Sequence, residues 1–219
     1  MGVLLDLPYI DIHTHHTVSE AGVFAVKNII ISEDDLPDSC CSVGIHPWYI
    51  AEKGQQYAIL EKYVQEKQVV AIGECGLDKV VEVAWDKQVE VFKQQIALAE
   101  RHRKPLVIHC VKAYAEVLSL LHDVSVPVVF HGFNKNMELA LQLIQKGYYL
   151  SLGTAILGGR LDLHIQQLPL DRLFLETDDK PVAIMDVYAY FCTVRKMSLP
   201  ELKQQMVANF ERVFKYPVL

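Results

Sequence analysis

Residues 105–131 read PLVIHCVKAYAEVLSLLHDVSVPVVFH, and this stretch decides the fold. Its two ends, PLVIHC (105–110) and VPVVFH (126–131), are aliphatic or β-branched nearly throughout. Such runs suit strands covered on both faces, as in a parallel sheet. The intervening segment is long enough for a helix, expected over 112–122. Strand, helix and strand in this order make one β-α-β unit. Each strand run also ends in a histidine or next to one.

Working outward, VVAIGE (69–74) and RLFLET (172–177) have the same character. Strands are expected near 9–14, 25–31, 41–46, 69–74, 106–110, 127–131, 148–152 and 173–177. Helices are expected over 52–66, 85–103, 112–122, 136–146 and 198–214. In 85–103, Val89, Phe92, Ile96 and Ala99 form a stripe at helical spacing. Ser198, Pro200 and Glu201 supply a cap, a first-turn proline and a capping-box partner for the last helix. Gly147 is expected to end the helix over 136–146. Eight strands with interposed helices predict an α/β fold, a compact TIM-like (β/α)8 barrel. Segments 16–24 and 32–40 are too short for crossover helices, so the first two helices should be shortened or missing. With no internal repeat, low-complexity tract or linker, residues 1–219 are read as a single domain.

The 219 residues are 51% hydrophobic and 22% charged, with mean hydropathy +0.16. That composition supports a substantial core. No apolar run approaches the roughly 20 residues that span a bilayer, so no membrane segment is expected. The N-terminus lacks the basic and apolar regions of a signal peptide, and Asp6 spoils the myristoylation pattern that Met1-Gly2 begins. The five cysteines are odd in number and show no zinc-finger spacing, which predicts a reduced, cytoplasmic protein. A net charge of −6 argues against a broad basic surface for duplex nucleic acid. It leaves room for a nucleic-acid substrate held in a cleft by metal ions.

Five of the nine histidines fall at or near the C-terminal ends of the expected strands: His13, His15, His46, His109 and His131. Glu74 and Asp178 join them. In a (β/α) barrel this is the functional edge. His13 and His15 stand two apart on a strand and so share a face. Each residue alone has a plainer reading: a hydrogen-bonded core histidine, a salt-bridged glutamate, an aspartate helix cap. Taken together, His13, His15, Glu74, His109, His131 and Asp178 suit Zn, Mn, Fe or Co, with Mg less favoured. Two ions about 3.5–4 Å apart polarise a substrate oxygen and acidify a water between them.

The chain resembles the TatD family of metal-dependent deoxyribonucleases, within the amidohydrolase superfamily. The segments that carry the resemblance are DIHTHH (11–16), VGIHP (43–47), AIGECGLD (71–78), Gln88 with VFKQQIALA (91–99), PLVIHC (105–110), HGF (131–133), YYLSLG (148–153), PLDRLFLETD (169–178) and ANFERVF (208–214). They run in family order over nearly the whole chain. The resemblance implies two divalent ions (Zn, Mn or Mg), one held by His13, His15, Glu74 and Asp178, the other by Glu74, His109 and His131. Asp178 would also take the proton of the attacking water. His46 would face the substrate phosphate or support the site from behind, and Asp78 would support it by hydrogen bonding. The implied substrate is DNA, single-stranded or at 3′ ends.

Some positions depart from the family pattern. Val111, with Lys112 beside it, stands where the family has an arginine, and lysine does not grip phosphate in the same bidentate way. Asn134-Lys135 follows HGF in place of Ser-Gly, and Asp179-Lys180-Pro181 replaces Ala-Pro-Tyr. Lys79, Lys112, Lys135 and Lys180 follow strand ends, as phosphate partners or as ordinary surface lysines. Trp48 and Tyr49 are placed to stack on a base or to pack on the rim. Cys75 and Cys110 should point away from the ions by strand alternation. A small phosphoester, amide or lactone substrate is the alternative enzyme reading, and a non-catalytic metal-binding barrel the alternative without chemistry. A monomer or weak homodimer is expected.

Overall fold

The computed structural model of the protein describes residues 7–31, 35–51 and 55–218. It contains β1 (Tyr9–Thr14), β2 (Val23–Ile30), β3 (Cys41–Gly44), β4 (Val69–Asp78), β5 (Leu106–Val111), β6 (Val128–Phe130), β7 (Tyr149–Leu152) and β8 (Leu173–Leu175). The helices are α1 (Gln55–Tyr63), α2 (Trp85–His102), α3 (Tyr114–Leu120), α4 (Met137–Gln145), α5 (Asp162–Gln167), α6 (Ile184–Arg195) and α7 (Leu199–Phe214), with short 3-10 turns at Thr154–Gly158 and Leu170–Arg172. The strands form one eight-stranded sheet in chain order. Pairing is parallel from β2 through β6 and between β7 and β8. A parallel bridge joins Thr14 to Asp178. This is the expected TIM-like (β/α)8 fold. Among the described residues no helix lies between β1 and β2 or between β2 and β3, as the short segments required.

Residues 1–6, on which the signal-peptide and acylation readings rest, lie outside the described residues, as do the first three positions of the helix expected over 52–66. No helix among the described residues is long and apolar enough to cross a membrane.

The chain divides into two compact units, Met1–Val26 with His131–Leu219, and Lys27–Phe130. In the first, α6 and α7 cover β1. The fully buried Tyr188 of α6 clamps β1: its hydroxyl accepts from Ile10 N–H at 2.9 Å and donates to Ile10 C=O at 3.0 Å. α7 starts with the predicted capping box of Ser198 and Glu201. Its Phe210 and Phe214 stack at 4.6 Å, and Lys203 places its ammonium 3.9 Å above the Tyr9 ring. Gly147, at φ +88°, follows α4 as the sequence requires. Tyr188→Phe strips Ile10 of both partners, and an unsatisfied buried polar group costs about 1–3 kcal/mol. Urea denaturation is expected to show a loss of that size. An unchanged midpoint would mean that the clamp carries no stability.

In the second unit α2 packs on β4, and here the helix differs from its expected face. The buried positions are Gln88, Phe92, Gln95, Leu98 and Ala99, while Val89 and Ile96 are only half-buried. The stripe is rotated because two glutamines do backbone work in the interior. Gln95 accepts from Ile45 N–H at 2.8 Å and donates to Ile45 C=O at 3.0 Å. Gln88 accepts from Asp78 N–H at 2.9 Å and donates to the carbonyls of Asp78 and Val83. Buried polar groups are tolerated when satisfied in this way. These bonds fix the ends of the β3 and β4 strands, where the candidate ligands sit.

Candidate metal centre

The first unit gathers His13, His15 and Asp178. Alternation along β1 turns both histidines to one side, and the Asp178 backbone is bolted beside them. Asp178 N–H donates to His13 C=O at 2.9 Å, and His15 N–H donates to Asp178 C=O at 3.1 Å. Asp178 adopts φ +58° to make this turn. Its carboxylate Oδ1 then lies 3.5 Å from His13 Nε2 and 3.4 Å from His15 Nε2. Burial opposes ionisation of this carboxyl. Hydrogen bonds from His13 and His15, with the charge of His13 and His131, outweigh it and hold the group far below the usual carboxylate range. The His131 ring lies 4.3 Å from the His13 ring. Glu176, fully buried, places Oε1 at 3.5 Å from His131 Nδ1 and accepts from Gly132 N–H at 2.6 Å.

Asp11 stands behind these residues on the same strand. Its carboxylate accepts from the Thr177 hydroxyl at 2.6 Å and from the backbone N–H groups of His13 and Thr177. It therefore ties β1 to the segment after β8. Desolvation outweighs those bonds and pushes its pKa up to about 7. Between about pH 4 and 7 the unfolded chain ionises Asp11 while the folded, metal-free protein keeps the proton, so folding loses stability as pH rises through that window. Asn reproduces the protonated form. Asp11→Asn should gain on the wild type from pH 4 to 7 by up to about 4 kcal/mol and then level off. Denaturation of the metal-free proteins across pH checks this, and a pH-independent difference would refute it.

The second unit gathers His46, Glu74 and His109, with Asp78. Glu74, buried near the middle of β4, is aimed by Asn28 of β2, whose Oδ1 accepts from Glu74 N–H at 2.8 Å. Glu74 Oε1 lies 3.0 Å from His46 Nε2 and 2.7 Å from His109 Nδ1. His109 Nε2 lies 3.1 Å from Asp78 Oδ2. The same Asp78 oxygen accepts from the Trp48 indole N–H at 2.6 Å. Trp48 backbone N–H donates to His46 Nδ1 at 3.1 Å. Side chains and one peptide thus close a ring through His46, Glu74, His109, Asp78 and Trp48. Burial opposes ionisation of Asp78 too. The Trp48, Val80 and His109 bonds overcome it and lower its pKa.

The ring also settles a tautomer. With its Nδ1 accepting from a peptide N–H, a neutral His46 carries its proton on Nε2, pointing at Glu74. His46 therefore offers a donor there, in place of a ligand lone pair. His109 has a carboxylate at each nitrogen, an arrangement satisfied by two protons or by a cation in place of one. In each group the ring nitrogens and carboxylate oxygens lie within 4.8 Å of one another. Imidazoles and carboxylates at that spacing are the donor set that borderline divalent ions take, so the residues present fit a metal.

The other expected residues fall outside these groups. Lys112 is exposed just past β5, in a left-handed turn at φ +54°. Lys79 pairs with Glu116 and Lys180 with Asp179. Cys75 is buried, with its thiol pushed up by desolvation, and Cys40 and Cys41 rise to about 12 for the same cause. Asn28, Asp11, Glu176, Gln88 and Gln95 had no structural role assigned from the sequence. Asp11 was discoverable, since it stands two residues before His13 and shares its face.

The family model described as TatD related DNase matches residues 13–215. The chain belongs to that family. Among TatD relatives, the metal-dependent hydrolase YcfH of Escherichia coli strain K12, named as uncharacterized, is 27% identical over 88% of this chain and 79% of its own. A similarly named hydrolase of Haemophilus influenzae is 26% identical over 90% and 84%. The crystal structure of the TatD homologue YjjV from Escherichia coli superposes with a TM-score of 0.82 at 23% identity, covering 97% of this chain and all of that one. A TatD-family hydrolase from Entamoeba histolytica gives 0.75 at 16% identity over 95% and 98%. These findings make the protein a TatD-family metal-dependent hydrolase on a (β/α)8 fold.

Proposed function

We propose that the protein is a deoxyribonuclease that hydrolyses phosphodiester bonds of single-stranded DNA or 3′ ends. The observation that carries the reading is the Asp178 carboxylate, held between the rings of His13 and His15 by a backbone bracket. In this reading His13, His15, Glu74, His109, His131 and Asp178 hold a pair of divalent ions. Bound ions supply Lewis acidity and a water acid enough to lose its proton near neutral pH. Asp178 accepts that proton. His46 donates from Nε2 to a phosphate oxygen, and Asp78 keeps the His109 ring in place. The family's description supports the substrate class, as does a relative from Enterocytozoon bieneusi, 27% identical, that is provisionally named a deoxyribonuclease.

One observation favours a second reading, a small phosphoester or amide. Lys79 and Lys180 are engaged by Glu116 and Asp179, and Val111 replaces the family arginine. Fewer cations are then available to track a polymer backbone. The test is nucleotide release from a 3′-labelled single-stranded oligonucleotide by protein stripped of metal and reloaded separately with Mg, Mn or Zn. Cleavage that returns with a metal, and is absent from Asp178→Asn prepared in parallel, is expected. No cleavage from a protein that binds two ions would reject DNA and favour the small substrate.

A further inference from the structure

Trp48 is 51% exposed, yet it is not free to turn. Its indole N–H is bonded to Asp78 at 2.6 Å and its backbone N–H to His46 at 3.1 Å. Its ring meets His46 edge-on at 5.0 Å and 89°, and His109 at 5.9 Å and 79°. A large aromatic side chain left half open ordinarily rotates. Here a bond to a carboxylate, which is stronger than a neutral one, fixes the plane, and two imidazoles of the candidate centre fix its position. The ordering that a ligand would otherwise impose is already done, which favours binding. Tyr49, 38% exposed with its ring 6.3 Å from that of Trp48, extends the aromatic surface.

We propose that the open face of Trp48 is a stacking subsite for the nucleobase of the nucleotide whose phosphate is bound beside His46 and His109. The inference rests on the phosphodiester reading. Charge selects the occupant: Glu74 and Asp78 line the inner side, so an anionic group is repelled unless a cation holds it. The part of the substrate that meets the indole is therefore its neutral, planar part. Every base presents a π face, so such a platform binds without reading sequence.

The chain has two tryptophans, so a nitrogen–proton correlation spectrum carries two indole signals, and Trp48→Phe assigns them. In the zinc-loaded protein, titration with deoxyadenosine monophosphate is expected to shift the Trp48 signal saturably and leave that of Trp85 in place. Deoxyribose 5-phosphate, the same ligand without its base, should shift the Trp48 signal far less. Trp48→Leu and Trp48→Phe both lose the bond to Asp78, so comparing the two isolates the ring. In the cleavage assay KM for an oligonucleotide should be about tenfold or more higher for Trp48→Leu than for Trp48→Phe, and the two variants should be alike on an abasic-ended substrate. Trp48→Phe, which keeps a ring but loses the bond that orders it, should fall between wild type and Trp48→Leu. A Trp48 signal that ignores the nucleotide, or follows the sugar phosphate equally, overturns the proposal. So does a KM for the oligonucleotide that is the same in Trp48→Leu and Trp48→Phe. Failure to cleave any oligonucleotide would instead reject the phosphodiester reading, while the indole titration, which needs no turnover, still decides the subsite.

Discussion

Asp178→Asn is expected to lower turnover about 1,000-fold or more while leaving the fold intact. The backbone accounts for the second half of that statement. Asp178 sits at φ +58°, a conformation asparagine adopts about as readily as aspartate. Its main-chain hydrogen bonds with His13 and His15 survive the substitution, while the attraction of the carboxylate to the two rings does not. What changes is charge. The amide cannot accept a proton, and its oxygen is a weaker ligand than a carboxylate. Removal of a positioned proton acceptor alone typically costs 100- to 10,000-fold. Single-turnover rates should fall accordingly, and calorimetric titration should show metal affinity reduced about tenfold or more. The metal-free protein still folds but melts lower at neutral pH, because the ionised carboxylate favours the folded state. Turnover within tenfold of wild type would remove Asp178 from its proposed role.

Gly76→Ala is expected to cost about 4 kcal/mol or more, enough to prevent accumulation of folded protein. Gly76 lies in β4 at φ +143°, and a Cβ there would stand 2.0 Å from the His109 carbonyl oxygen and 3.0 Å from its carbon. The obstruction is backbone, so no side chain can swing away. Nor can the strands part, since Gly76 is paired in register with His109 and β4 is buried along its length. Any relief displaces His109, whose ring spans Glu74 and Asp78. Soluble yield and urea denaturation measure the cost. A folded Gly76→Ala protein with wild-type stability would contradict the close approach of the two strands.

Much of this architecture was legible from the sequence because its strands are buried on both faces and read as continuous apolar runs. All eight were anticipated in order, and the absence of helices on either side of β2 among the described residues followed from segment length alone. Where reading stopped short, local chemistry explains it. β4 was expected to end at Glu74 but runs on to Asp78: Gly73 and Gly76 interrupt the apolar run, and the pairing resumes after a register shift. α6 was not anticipated. Its sequence IMDVYAYFCTVR is rich in β-branched and aromatic residues of modest helix propensity, and no side chain caps its start. The spacing of its buried Ile184, Val187, Tyr188 and Phe191 was nonetheless helical. The candidate ligands were visible as polar residues ending apolar strands. The residues that aim them were not, because Asn28, Gln88 and Gln95 act through backbone partners that only the fold brings near.

The bracket around Asp178 also bears on how the protein is made. Thr14 and Asp178 are 164 residues apart in sequence, and Asp11 and Thr177 are 166 apart. A ribosome releases His13 and His15 early, and they must wait for most of the chain before their carboxylate emerges. Until residue 178 is added, the nascent protein carries a pair of histidines without the proton acceptor proposed to serve them. In the proposed reading, a product terminated before residue 178 lacks the proton acceptor and is inert.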